Sequence, residues 1–387
     1  MKTFIKYGRI RIQFLIILLF LLSCSSVDRK KGLQILSPHS ASSTIDLMDI
    51  VDTVMYVQFD DSILLSGIGN LVLTDSFIIG TTNKYGILKF DSEGYFLNTI
   101  GSIGQGPEEY QSGNYNMAVD AMNGIVYAFM YPDLLLSYSL TGEFLQRVHL
   151  QMPEKASGMY CPDIFQVQNG LLYFYYMNAG TVGEKPLYWM VMNKDGALVE
   201  CRRGQEARTS FYPGVVLINN YTSVDDSTMI YWDNFNDTIF YVSPSCERAA
   251  YLFDKGNFRL QETDDLSLLP EERIRCLRII DTKNFLLLAW DSKNRSEGVY
   301  YNLYDKNTDI TYKLRDDMVY DKRGDLSMRY LRMSYVKLKG CEYIVTQTKA
   351  YKVENIPGAL LWKLDADDLE GNPVLVLIRL KDEWKYP

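Results

Sequence analysis

Histidine is almost missing from this chain, with two in 387 residues. His39 lies in a polar stretch and His149 follows an apolar run, so both read as ordinary polar residues. Histidine-based proton transfer and His-ligated zinc have little to build on. A Ser-His-Asp arrangement would have to recruit His149, and no Gly-x-Ser-x-Gly elbow occurs. Cysteine is scarce too, six in all and with no C-x-x-C pair. Beyond Cys24, the residues Cys161, Cys201, Cys246, Cys276 and Cys341 are odd in number and far apart. That argues against a complete disulfide framework, and they read as buried thiols packing as small hydrophobes. Positive charge is in deficit, 40 Lys and Arg against 48 Asp and Glu. A surface of that sign repels phosphate backbones, which argues against nucleic acid as a partner. Helical periodicity is rare. Only Leu269–Arg275, with Pro270, Glu271 and Glu272 in its first turn, predicts a short helix.

A long apolar run is lacking as well. The longest, Ile12 to Leu22 broken by Gln13, is about half of what a membrane-spanning helix needs. It follows Lys2, Lys6, Arg9 and Arg11 and precedes Ser23-Cys24. This order predicts a signal peptide over residues 1–23. The segment ending at Cys24 resembles a lipobox, which implies cleavage before Cys24 and lipid on its thiol; an uncleaved short anchor is the alternative. Loss of the four basic residues takes the balance from −8 to −12. So acidic a body matches anionic lipid poorly, leaving the lipid chain as the principal attachment. Residues 24–43 are polar and aperiodic and are expected to form a flexible tether. Residues 44–387 are expected to form one domain.

What the chain has in abundance is strand-forming sequence. Aromatics make up 13% of it, with 29 tyrosines, and Tyr, Phe, Val and Ile favour half-buried pleated surfaces. Apolar runs alternate and are broken by Gly, Asp and Asn. One unit recurs: an apolar strand, a second strand, a tight polar turn and a third strand. The first copy is Phe77–Gly80, Gly86–Phe90, the turn Asp91-Ser92-Glu93-Gly94, then Tyr95–Leu97. Later copies turn at Leu140-Thr141-Gly142 and Lys194-Asp195-Gly196. The strands before the turns end at Phe90, Tyr138, Met192, Val242, Tyr304 and Leu364. This drifting period near 50 residues suits propeller blades, each a four-stranded antiparallel sheet. The expected fold is all-β, a six-bladed β-propeller. The early strand Val54–Phe59 has no repeat partner and is expected to pair beside Val374–Leu380, latching the ring. Seven blades or two stacked sandwiches are the alternatives. The tryptophans Trp189, Trp232, Trp290 and Trp362 are expected mostly between packed blades.

The most distinctive stretch is Gly101-Ser102-Ile103-Gly104-Gln105-Gly106-Pro107-Glu108-Glu109-Tyr110, preceded by Phe90–Phe96. It resembles the signature of the six-bladed β-propeller lipoproteins of anaerobic gut bacteria, relatives in shape of NHL-repeat and TolB-like propellers. The pattern is G-x-x-G-Q-G-P-x-E-[YF]. A degenerate echo stands at Arg203-Gly204-Gln205-Glu206. The resemblance implies fold and location but no reaction. Mechanically, the Gly-Gln-Gly-Pro segment is expected to carry the chain from the outer strand of one blade to the inner strand of the next. Functionally, Gln105, Glu108, Glu109 and Tyr110 are the candidate ligand-binding residues. No helix follows the loop and no Lys-Ser/Thr pair stands in it, so it is not a phosphate cradle.

The reading that follows is an envelope lipoprotein, monomeric and without a cofactor, that binds or scaffolds a peptide, glycan or protein. Its expected place is the outer membrane, facing the periplasm, with surface exposure as the alternative. The competing reading is a propeller enzyme acting through funnel carboxylates: a polysaccharide lyase, a glycoside hydrolase or a calcium-dependent lactonase-like hydrolase. The acidic run Asp365, Asp367, Asp368 and Glu370 reads as a solvated hairpin, with weak calcium binding as its alternative.

Overall fold

The structure is a computed structural model. It describes residues 33–111, 115–153, 162, 164–179, 187–203, 221–223, 228–232, 237–243, 246–254, 256, 273–292, 299–314, 334–349 and 371–382. The signal segment and Cys24 lie outside the described residues. No helix among those described is long and apolar enough to cross a membrane.

The chain opens with three strands, β1 (Ile35–Leu36), β2 (Ser43–Ile45) and β3 (Val51–Gln58), with a four-residue helix, Leu47–Ile50, before the third. Blade 1 follows as β4 (Gly69–Leu73), β5 (Phe77–Thr82), β6 (Gly86–Asp91) and β7 (Phe96–Ile100). Blade 2 is β8 (Tyr115–Asp120), β9 (Ile125–Met130), β10 (Leu134–Ser139) and β11 (Phe144–His149). Blade 3 is β12 (Ile164–Gln168), β13 (Leu171–Ala179), β14 (Leu187–Asn193) and β15 (Leu198–Arg203). Blade 4 is β16 (Tyr221–Ser223), β17 (Met229–Trp232), β18 (Thr238–Ser243) and β19 (Cys246–Phe253). Blade 5 is β20 (Ile274–Asp281), β21 (Phe285–Ser292), β22 (Val299–Asp305) and β23 (Ile310–Leu314). Blade 6 has β24 (Ser334–Leu338), β25 (Cys341–Lys349) and β26 (Pro373–Leu380), and takes β3 as its fourth strand. The four strands of each blade pair antiparallel, in a meander for blades 1 to 5, and first strands of blades approach one another around the axis. The molecule is therefore a six-bladed β-propeller.

Ring closure follows the expected route. β3 pairs antiparallel with β26, Val54 opposite Ile378 and Val57 opposite Leu375. This pairing supplies the fourth strand of the last blade from the N-terminal side of the first and so closes the ring.

Alternation along the strands makes each blade apolar on both faces, so the core is split among the blade junctions. Each of the six junctions holds its own cluster. Ile79, Ile87 and Tyr110 meet Met117, Val126 and Tyr138 between blades 1 and 2. Trp232 and Ile239 meet Cys276 and Trp290 between blades 4 and 5. Trp189, Trp232 and Trp290 are all buried at such junctions, while Trp362 lies outside the described residues.

Turns between third and fourth strands repeat one design. Asp91 Oδ1 accepts the amides of Glu93 and Tyr95, each at 2.9 Å. Asn193 Oδ1 does the same for Asp195 and Ala197, at 3.1 and 2.8 Å. Ser139 Oγ takes the amides of Thr141 and Glu143. Short polar side chains that bond the backbone two residues on are what such turns select. Each turn glycine then offers its carbonyl to the chain leaving the previous blade. Asp60 N donates to Gly94 O at 3.0 Å, Gly101 N to Gly142 O at 3.2 Å, and Gln151 N to Gly196 O at 2.8 Å.

Four expectations need correction. The tether does not run to residue 43, because β1 adds parallel to β19 and β2 adds parallel to β23. Leu36, 1% exposed, plugs the junction of blades 4 and 5, and Ile45 plugs that of blades 5 and 6. Burial of these two side chains outweighs the polar composition around them. The predicted helix Leu269–Arg275 is overruled at its described end, where Ile274 and Arg275 begin β20 opposite Ser292 and Asp291. The sixth unit is out of phase: Val374–Ile378 belongs to the third strand of its blade rather than the outer one, and the proposed strand at 359–364 lies outside the described residues. Of the cysteines, Cys276 is buried, Cys201 and Cys341 are half-buried, and Cys246 is exposed. None of these four forms a disulfide, and Cys161 lies outside the described residues.

Candidate functional site

A meander sends alternate connections to opposite ends of the ring. At one end lie the links between first and second strands, of which 74–76, 121–124, 169–170, 282–284 and 339–340 are described and all short. At the other end the outer strands of the blades finish and the inner strands of the next begin; of the crossings there, 59–68 is described throughout, with 101–111 and 150–153 of the next two. Long connections on a rigid frame are where binding residues concentrate. That end is the candidate site, and its most distinctive described segment is the Gly-Gln-Gly-Pro loop, within residues 101–111.

The loop runs from outer strand β7 toward inner strand β8, as expected. Glu109 turns back into it. Its Oε2 accepts the Gly106 amide at 2.8 Å and its Oε1 takes the Ser102 hydroxyl at 3.4 Å. The carboxylate lies so close over Gly104 that a Cβ there would stand 1.8 Å from Oε2. Tyr110 is fully buried. Its hydroxyl donates to Ile100 O at 2.8 Å and accepts the Ile87 amide at 3.0 Å, stitching two strands of blade 1 together. Burial pushes the Tyr110 hydroxyl up to about 12, so it is protonated at any physiological pH. From blade 2, the Tyr138 hydroxyl donates to Glu108 O at 2.7 Å and Arg147 Nη1 to Pro107 O at 3.1 Å.

These contacts divide the four candidate residues. Glu109 and Tyr110 are committed to holding the loop. The side chains of Gln105 and Glu108 are exposed at its tip, where a ligand can reach them. The echo at Gly204-Gln205-Glu206 lies outside the described residues. A thermal or denaturant melt should separate the two pairs. Tyr110→Phe strands the buried Ile87 amide and Ile100 carbonyl, with an expected loss of about 1–3 kcal/mol. Gln105→Ala and Glu108→Ala should stay within about 0.5 kcal/mol of the parent. Equal losses in all three variants would contradict this division.

A second polar cluster went unnoticed in the sequence. Asp281, at the end of β20, is 0% exposed. It accepts from Lys306 Nζ and from the Tyr241 hydroxyl, and Lys306 also donates to Thr282 O. The Tyr241 and Tyr251 hydroxyls are 3.2 Å apart, and the Arg248 guanidinium lies 4.6 Å from the Tyr241 ring centroid. Next to it, Glu342 takes the Lys283 amide at 3.0 Å and the Tyr335 hydroxyl at 2.8 Å. Burial pushes the Asp281 carboxyl above its ordinary value, with Lys306 and Tyr241 pulling the other way. Burial also raises Tyr241, as does the neighbouring Asp281. The cluster rivets blade 4 to blade 5 around a carboxylate that is itself closed to solvent, which makes it a structural element. An Asp followed by Thr-Lys-Asn reads in sequence as an ordinary turn, so no pattern announces its burial.

Among the described residues no three His, Cys, Asp or Glu side chains converge as metal ligands. His149 Nδ1 lies 3.2 Å from Asp133 Oδ2 at an exposed position, and His39 is exposed. The acidic run Asp365–Glu370 is outside the described residues.

Six antiparallel blades closed into a ring define the class as a six-bladed β-propeller. Within that class, the chain belongs to the family described as Domain of unknown function (DUF4934), whose model matches residues 33–379. Among solved structures it is similar to a Bacteroides fragilis protein named as exported. The identity is 19% and the TM-score 0.63, over 90% of this chain and 100% of that one. It is also similar to U3-55K, at 13% identity and TM-score 0.42 over 84% of this chain and 98% of that one. No curated protein matches it in sequence.

Proposed function

We propose that this chain is an exported, lipid-anchored propeller that binds or scaffolds a peptide, glycan or protein at the end carrying its long connections. The observation behind this reading is the asymmetry of the ring. One end carries the links between first and second strands and the other the crossings, one of which is braced by Glu109, Tyr110, Tyr138 and Arg147 while Gln105 and Glu108 stay exposed. A loop held rigid by its own hydrogen bonds loses little entropy when a ligand docks, which is how preorganisation raises affinity. In this reading the chain is monomeric, works without a cofactor, and sits at the outer membrane facing the periplasm with lipid on Cys24. Its likeness in shape to NHL-repeat and TolB-like propellers belongs to the same reading.

The test is binding of the purified chain to glycan and peptide arrays, followed by titration of any hit. Replacing Gln105 and Glu108 together by alanine is expected to weaken the hit by about tenfold, equivalent to roughly 1.4 kcal/mol, at unchanged melting temperature. Hits that ignore this double variant, or arrays without any hit, would count against the site.

A further inference from the structure

The N-terminal strands fix where the membrane anchor leaves the ring. Leu252 N donates to Gln34 O and Asp254 N to Leu36 O, each at 2.9 Å. Leu36 is buried in the junction of blades 4 and 5. Asn302, itself buried, donates from Nδ2 to Ser37 O and Pro38 O, each at 3.2 Å. The chain is thus pinned from residue 34 onward along the outer strand of blade 4. Between Cys24 and Ile35 a fully extended chain spans at most roughly 40 Å. A compact chain of this size measures roughly 50 Å across, so the rim of blade 1, opposite blade 4, is beyond the reach of the anchor if it is to face the bilayer.

Surface chemistry at the exit matches a lipid interface. Strand alternation that buries Leu36 leaves Leu33 and Ile35 outside, 42% and 54% exposed. Immediately before them the sequence reads Arg29-Lys30-Lys31. In a chain that is otherwise acidic, this places a basic triplet and two exposed aliphatic side chains between the lipid-bearing residue and the ring. Each basic residue near an anionic leaflet contributes about 1 kcal/mol, and exposed aliphatic side chains favour the headgroup boundary.

We propose that the rim of blade 4 is the bilayer-facing surface and that the ring stands on this edge, with Leu33 and Ile35 at the interface. Blade 1, opposite, and its neighbours blades 2 and 6 then face away from the membrane. The proposal rests on the reading of Cys24 as the lipid-bearing residue, and the experiment separates the two. The full-length chain, purified from membranes, is first checked by mass spectrometry for lipid on Cys24. It is then reconstituted in phosphatidylethanolamine–phosphatidylglycerol vesicles containing nitroxide-labelled lipid, with a fluorescent amino acid encoded at position 35 or at position 97, the latter on the rim of blade 1. The expected result is quenching several-fold stronger at 35 than at 97, with the difference reduced in the Lys30→Glu/Lys31→Glu variant. A lipidated Cys24 with equal quenching at both positions describes a ring lying flat and overturns the orientation alone. An unmodified Cys24 overturns the attachment reading and the orientation with it.

Discussion

Asp281→Ala is expected to destabilise the ring by about 3–5 kcal/mol, the usual cost of removing one partner from a buried ion pair. The carboxylate is wholly buried and holds Lys306 of the same blade and Tyr241 of the neighbouring one. Its loss removes the carboxylate acceptor of the half-buried Lys306 ammonium and Tyr241 hydroxyl. Chemical denaturation at neutral pH measures the effect, and an Asp281→Ala chain within about 1 kcal/mol of the parent would refute the assignment. Lys306→Met should cost a similar amount, and the double variant less than the sum, since the two act through one interaction. The pH dependence has a definite sign. Burial raises the folded-state pKa of Asp281 above the ordinary 3.8. A group shifted that way contributes stability that is complete below its unfolded value and is lost as pH rises through the folded value. The stability of the parent relative to Asp281→Asn should therefore be greatest in acid and decline as pH rises from about 4 toward neutrality. A margin that grows over that window would show the ion pair to dominate burial instead.

Legibility in the sequence followed burial pattern and turn chemistry. The second and third strands of most blades, such as Phe77–Thr82 with Gly86–Asp91, stand out because both faces are apolar and a capped turn follows them. Inner strands do not stand out. Gly69–Leu73 and Ile164–Gln168 are short and mix Gly, Asn and Gln with apolar residues, because a strand beside the axis has less neighbouring surface to bury against. Ile274–Asp281 was obscured by helix-start signals just upstream, at Pro270 to Glu272. The docking of β1 and β2 rests on one buried side chain each, Leu36 and Ile45, which is too little to register as a periodic pattern. At the candidate site the Gly-Gln-Gly-Pro segment was visible as a motif. Its division of labour was not, because the fold-back of Glu109 over Gly104 and the bridging by Tyr110 depend on contacts across the loop and with strands of blade 1.

The turn glycines carry the second large expectation. At Gly94 the backbone has φ of +97°, and an added Cβ would lie 2.2 Å from the Gln58 carbonyl oxygen at the end of β3. Gly94→Ala therefore meets two penalties together: a left-handed conformation that costs an L-residue about 1–2 kcal/mol, and a collision with backbone that cannot rotate away, worth about 1–3 kcal/mol. The expected loss is about 2–5 kcal/mol. The same construction recurs at Gly142, where the Cβ would meet Thr99 O at 2.4 Å, and at Gly196, where it would meet Val148 Cγ1 at 2.7 Å and His149 O at 2.8 Å. Since the φ values are alike, +97°, +94° and +86°, the conformational penalty is shared and the steric one is graded. Alanine at 94 should cost the most, at 142 slightly less and at 196 the least, because part of the Gly196 contact is with a side chain that can shift. Denaturant melts of the three variants test this order. If Gly196→Ala proved the most damaging, the carbonyl contacts between consecutive blades would not be what requires glycine in these turns.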